Sequence, residues 1–175
     1  WRSEDITQTD PQWKKLGIYF ASQAISDIAQ DPNDHNTVYV STGESYTGDV
    51  PGAGIFKSTD DGVTWELLPS TQNSIFRSIN EIHVHHNGDV YAATSNGGIH
   101  KSKDGGANFT KVIGTSLSGA TNNNFHDFFF NETNQTFYTC NDVSVYKSTT
   151  GEVDSWIDIG RSKPGFPSNV NRIEM

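Results

Sequence analysis

The chain has 175 residues, with 12 Lys and Arg against 21 Asp and Glu, for a formal net charge of −9. That balance leaves no basic patch for a nucleic acid. A mean hydropathy of −0.59, with no apolar run near the ~18 residues of a spanning helix, argues against membrane insertion. Aromatic residues, at 11 %, are too frequent for a disordered chain. The one cysteine, Cys140, excludes an internal disulfide and a cysteine-based zinc site. The sequence opens on Trp1 and its only Met is Met175, so it reads as a piece of something longer.

In chain order, the sequence repeats itself. Residues 1–17 read as the end of one unit, with its last two strands at 2–5 and 13–16. Residues 18–68, 69–114 and 115–160 then carry the same four short strands. The first strands fall at 24–28, 78–82 and 124–128, and the second at 37–42, 89–94 and 136–140. The third hold a Lys-Ser pair at 57, 101 and 147, in steps of 44 and 46 residues. The fourth fall at 66–68, 110–113 and 157–159. Residues 161–175 begin another unit, because Val170 aligns with Ile25, Ile79 and Phe125. Turn residues separate the strands: Asp-Pro-Asn-Asp at 31–34, His-Asn-Gly at 86–88 and Asn-Glu-Thr-Asn at 131–134. No helical period is sustained. Four antiparallel strands per ~40–50-residue repeat is the arithmetic of a β-propeller blade. The expected fold is therefore all-β: three complete four-stranded antiparallel blades and parts of two more. The open ends would need the rest of a propeller, or another copy, to cover them.

Each third strand runs into a recurring turn. Ser58-Thr-Asp60-Asp-Gly62-Val-Thr-Trp65 and Ser102-Lys-Asp104-Gly-Gly106-Ala-Asn-Phe109 share the pattern Ser-x-Asp-x-Gly-x-x-aromatic. The third copy, from Ser148 to Trp156, is one residue longer and has Thr150 in place of the Asp, so Asp154 is a candidate substitute. In such a turn the glycine supplies a positive φ, the Asp accepts backbone N–H groups, and the aromatic fills the space between sheets. On these residues the chain resembles the BNR/Asp-box repeat propellers. Within them it is most similar to the branch with xyloglucanase-type glycoside hydrolases, sortilin-type receptor domains and photosystem-assembly-factor-like propellers. The resemblance implies that the box is a folding device on the rim away from the ligand face.

That face would be built from the connections between second and third strands, at 43–53, 95–97 and 141–143. The first is much the longest and carries Glu44, Tyr46 and Asp49; Asn96 lies in the second. Asp27, Glu81, Asp127 and Arg172 hold equivalent places on the first strands, preceded by Ser26, Asn80, His126 and Asn171. These carboxylates read either as an acidic girdle at a channel mouth or as acceptors for the backbone of neighbouring blades. Paired for glycoside hydrolysis they would need to stand ~5–5.5 or ~6.5–9.5 Å apart. His83, His85 and His86 have no carboxylate recurring in register, and no metal or cofactor is expected. No residue is assigned a catalytic role. The sialidase branch needs an Arg-x-Pro start that none of the arginines has, and Gly48-Asp-Val-Pro-Gly52 only faintly echoes the xyloglucanase loops. Gly-x-Ser-x-Gly, His-Glu-x-x-His and phosphate-loop patterns are absent from the sequence.

The expectation is a non-catalytic recognition or scaffold module of a secreted or surface protein, binding glycan or protein. The alternatives are part of a xyloglucanase-type glycoside hydrolase and an assembly-factor-like, protein-binding propeller.

Overall fold

The computed structural model describes residues 2–15, 24–43, 50–115, 120, 122–161 and 163–167. Among these, three sheets of four strands account for nearly all the regular structure. The first holds β1 (Ile25–Asp31), β2 (Asp34–Thr42), β3 (Ile55–Ser58) and β4 (Glu66–Leu67). The second holds β5 (Ile79–Val84), β6 (Val90–Thr94), β7 (Gly98–Ser102) and β8 (Thr110–Ile113). The third holds β9 (Phe125–Asn131), β10 (Thr136–Asn141), β11 (Val145–Ser148) and β12 (Ile157–Asp158). Each sheet is an antiparallel meander in sequence order. Two short 3-10 turns, Pro69–Thr71 and Ser74–Arg77, link the first sheet to the second.

The sheets stack face to face, with β5 packed between β1 and β9. The middle sheet is therefore covered on both sides, and all five residues of β6 and of β7 are buried. Strand alternation divides them between two cores. Val90 and Ala92 join Tyr39, Ile55, Leu68, Phe76 and Ile82 against the first sheet. Tyr91 and Ala93 join Phe128, Phe137, Tyr146 and Trp156 against the third. Among the described residues the two outer sheets have a sheet packed on one face only. Ile28 is 63 % exposed, whereas its equivalents Ile82 and Phe128 are 3 % and 2 % exposed.

The expected first strands match β1, β5 and β9 to within a few residues. Of the expected strands at 2–5 and 13–16, the described residues give a single antiparallel bridge, Arg2 to Lys14, with reciprocal N–H···O bonds of 2.9 and 2.8 Å. The expected start of a further unit lies largely outside the described residues, from 168 onwards. Trp65, expected to be buried between sheets, is only half-buried. Its equivalent Phe109 packs on Phe76 at 5.2 Å in the first inter-sheet core. Trp156 lies 6.0 Å from Phe128 and is 5 % exposed. The aromatic after each turn thus faces the preceding sheet, and for Trp65 no preceding sheet lies among the described residues. Its indole N–H donates instead to the Gly62 carbonyl at 2.9 Å.

Candidate functional site

An antiparallel meander sends its connections alternately to two ends. The β1–β2 and β3–β4 turns and their equivalents share one end. The β2–β3 type connections and the links between sheets share the other.

At the turn end, the Ser-x-Asp-x-Gly segments are closed on themselves. The Ser58 hydroxyl donates to Asp60 at 2.8 Å and accepts the Gly62 N–H at 2.8 Å. Asp60 also accepts the Thr64 N–H at 2.7 Å and the Thr64 hydroxyl at 2.6 Å. The second turn repeats this with Ser102, Asp104, Gly106 and Asn108, at 2.8 Å in each bond. The Asn108 side chain and backbone N–H hold the Asp104 carboxyl down at about 2. Gly62 and Gly106 have φ of +81° and +98°, a region that L side chains rarely adopt. In the third turn Ser148 accepts from Gly151 N–H at 2.8 Å, but Ser155, not Asp154, bonds its hydroxyl, at 2.6 Å. Asp154 is exposed with φ +63°. The one-residue insertion has moved the carboxylate out of reach.

The first-strand carboxylates reach sideways to the next sheet. Asp27 accepts the Ile82 N–H at 2.9 Å, and Glu81 accepts the Phe128 N–H at 2.5 Å. Each thus holds the backbone of the following first strand. Burial pushes the Glu81 carboxyl up to about 8; the Phe128 N–H opposes that push, while the charges of Asp127 and Asp27 add to it. Asp127 occupies the equivalent position on β9, half-buried.

The loop end carries a continuous polar chain across the second and third sheets. The Ser95 hydroxyl donates to Ser78 at 3.0 Å and to Asn80 Oδ1 at 3.2 Å. The Asn80 amide donates to the Phe125 carbonyl at 2.7 Å and to Asn124 Oδ1 at 3.3 Å. Asn124 and Asn122 donate to Asp142 at 3.2 and 2.9 Å, and His126 Nε2 lies 2.6 Å from Asp142 Oδ1. Asp142 is thereby oriented by three side chains. The Asn122 and Asp142 parts of this chain were missed from sequence. Their signal was there: an Asn run at 122–124 and an Asp in a second-to-third strand connection. Beside it Asn96 is exposed. Glu44, Tyr46 and Asp49 lie outside the described residues.

The histidines do not gather into a metal centre. His83 and His85 stack at 6.3 Å between aromatic rings, His83 against Phe128 at 5.4 Å and His85 against Phe130 at 4.3 Å. His86 turns away to Glu132, 2.6 Å distant. Among the described residues, no three His, Cys, Asp or Glu are placed to hold a metal ion. Nor is any helix among them long and apolar enough to cross a membrane.

No protein-family model and no curated protein matches this sequence. Solved structures do match the fold. The GH74 xyloglucanase from Xanthomonas campestris is 23 % identical with a TM-score of 0.59, over 83 % of this chain and 24 % of its own. The extracellular domain of BT3049 from B. thetaiotaomicron is 16 % identical with a TM-score of 0.61, over 86 % and 20 %. YCF48 from Cyanidioschyzon merolae is 15 % identical with a TM-score of 0.59, over 85 % and 40 %. At such identities the likeness speaks for the fold alone. The three sheets are blades of a β-propeller, and the chain spans between a fifth and two fifths of these neighbours' lengths.

Proposed function

We propose that this chain supplies blades of a non-catalytic recognition propeller of the BNR/Asp-box class, in a secreted or surface protein. Its ligand, a glycan or a protein, is bound on the loop end. The observation that carries this reading is how the described carboxylates are engaged. Hydrolysis of a glycosidic bond needs two carboxyl groups facing a shared cleft. Asp27 and Glu81 instead hold the backbone of the next blade. Asp60 and Asp104 close turns at the opposite end, and Asp142 is held by Asn122, Asn124 and His126.

What remains for recognition is the loop end, with exposed Asn96 and the long 43–53 connection. We assign Glu44, Tyr46 and Asp49 there to ligand contact, with Asp27, Glu81 and Asp127 framing the channel mouth. A tyrosine offers a sugar ring a flat apolar face and a polar tip. The likeness to an extracellular domain supports the extracellular setting.

A glycan array, run beside an assay for reducing ends released from xyloglucan, tests the proposal. Binding should fall about tenfold or more in Tyr46→Ala and Asn96→Ala, the loss of a contact worth ~1.4 kcal/mol, with no sugar released. A protein ligand would instead be indicated by silence on the array together with capture of a peptide library sensitive to the same variants. Turnover of xyloglucan that disappears in Asp49→Ala would overturn the proposal in favour of a hydrolase.

A further inference from the structure

Between the second and third blades, at the end that carries the Ser-x-Asp turns, lies a cleft of about 310 Å3. Its walls are Lys103, Asp104, Asn108 and Val112 of the second blade and Glu152 and Val153 of the third turn. Two local differences set this junction apart from the first. There Leu68 packs onto the turn of the following blade, so closely that a Cβ on Gly106 would stand 2.4 Å from Leu68 Cδ1. Ser70 closes the same junction by donating to the Gly106 carbonyl at 2.6 Å. The second blade has the shorter Val112 in the place of Leu68, and the third turn is the one with an extra residue. The cleft thus lies between two complete blades that pack on each other through β5, β6 and β9.

Its charges balance. The buried Lys101, which also lines the cleft, and Lys103 both bond Glu152 Oε1, at 2.7 and 2.8 Å. That leaves Glu152 Oε2 to accept from a ligand, and the Lys103 ammonium has N–H donors to spare. The two lysines hold the Glu152 carboxyl below the usual range, and Asn108 holds that of Asp104 at about 2. Two ammonium groups therefore stand with two carboxylates and no net charge. A charged ligand would unbalance this lining and lose its own hydration. A hydroxyl, donor and acceptor at once, suits it. Val112, 2 % exposed, and Val153, 37 % exposed, add an apolar patch for the C–H face of a ring. The volume is at the lower end of the ~300–1,000 Å3 of small-molecule sites, room for one ring. We infer that this cleft between blades is a second binding site, separate from the loop end, that takes one neutral pyranose ring of a glycan. With both carboxyls held ionised, neither supplies the general acid of glycoside hydrolysis, so the cleft binds without cleaving.

Proton–nitrogen correlation NMR reads the cleft residue by residue. The chain is titrated with the methyl β-glycosides of glucose, galactose and xylose. At least one should move the amides of Asn108, Val112 and Val153 saturably, in the millimolar range of a single sugar ring, while Cys140 keeps its shift. Lys103→Met and Val153→Ala, both at exposed positions, should weaken binding about fivefold or more with the thermal midpoint unchanged. Glucuronate and glucosamine should bind about fivefold more weakly than the best neutral glycoside, or weaker still. No saturable shift at these amides up to about 100 mM of any of the three glycosides would overturn the inference. So would tighter binding of a charged sugar, or an affinity that neither variant changes. Shifts confined to Asn96 and its neighbours would support the loop-end site and overturn this one. Shifts confined to the cleft would uphold this inference while the loop-end reading fails.

Discussion

Replacing Lys101 by Met should be among the most damaging single changes in the molecule. The Lys101 side chain is 3 % exposed and its ammonium lies 2.6 Å from Asp89, itself 9 % exposed, and 2.7 Å from Glu152. Burial alone would lower the affinity of Lys101 for its proton, but the bonds to Asp89 and Glu152 raise it above the usual lysine range. Met keeps most of the stem packing and removes the charge. Glu152 loses little, because it is 43 % exposed and keeps Lys103 at 2.8 Å. Asp89 is left buried without its cation, and an uncompensated buried charge costs ~3–5 kcal/mol. The matched control is Lys147→Met at the same register of the third blade. That side chain is exposed, so the change should stay within ~0.5 kcal/mol. Adding Asp89→Asn to Lys101→Met should recover part of the loss, because the two residues share one interaction. Urea denaturation followed by tryptophan fluorescence gives all four values. Similar costs at Lys101 and Lys147, or no recovery in the double variant, would refute the reasoning.

The repeat makes other comparisons possible. Trp156→Ala should cost ~3–5 kcal/mol by removing a buried aromatic; Trp65→Ala, at the same place in the first blade but only half-buried, should cost less than half as much, measured in the same urea titration. Burial, with the Lys111 charge adding, pushes His100 down to about 4 from its ordinary 6.5. Its neutral form in the fold therefore stabilises fully above about pH 6.5, and that contribution, of order 3 kcal/mol, is lost as pH falls toward 4. Glu81 has the opposite sign. Raised to about 8 from 4.5, it stabilises fully below about pH 4.5 and loses that contribution as pH rises toward 8. His100→Phe should flatten the acid limb of midpoint against pH, and Glu81→Gln the limb between about 4.5 and 8. Cys140 is 0 % exposed, so Ellman's reagent should label it only as fast as the chain opens.

Local periodicity made the blades readable. Alternation and turn residues placed β1, β5 and β9, because a strand's face and its ends are written in its own residues. The Ser-x-Asp turns were legible for the same reason: Asp60 and Asp104 find their partners within four residues. What escaped was contact across blades. The Lys-Ser pair was visible at 57, 101 and 147, but the acceptor for Lys57 lies 48 residues away on another sheet. Arg2-Ser3 is a fourth instance of the same pair, with a different cation. The half-exposure of Trp65 was unreadable in principle. Its repeat is equivalent in sequence to its neighbours and differs only in what stands beside it. Ser155 replaced Asp154 in the third turn because an insertion changes reach, which a pattern of residue types does not encode. At the loop end, Asp142 could be placed in its connection, but its bond to His126 depends on the register of the β9–β10 pair, which shifts between Cys140 and Asn141.

The central claim is that the first-strand carboxylates Asp27 and Glu81 hold neighbouring blades together. It is tested most directly by native-state amide hydrogen exchange, resolved by NMR, in the wild-type chain and in Asp27→Ala. Removing the carboxylate takes away the acceptor that holds the Ile82 N–H at 2.9 Å. Exchange at Ile82 should then accelerate at least tenfold, while Thr139, in the middle of the third blade, keeps its wild-type rate. An Ile82 amide as protected in Asp27→Ala as in the wild type would contradict the account and leave Asp27 open to another role.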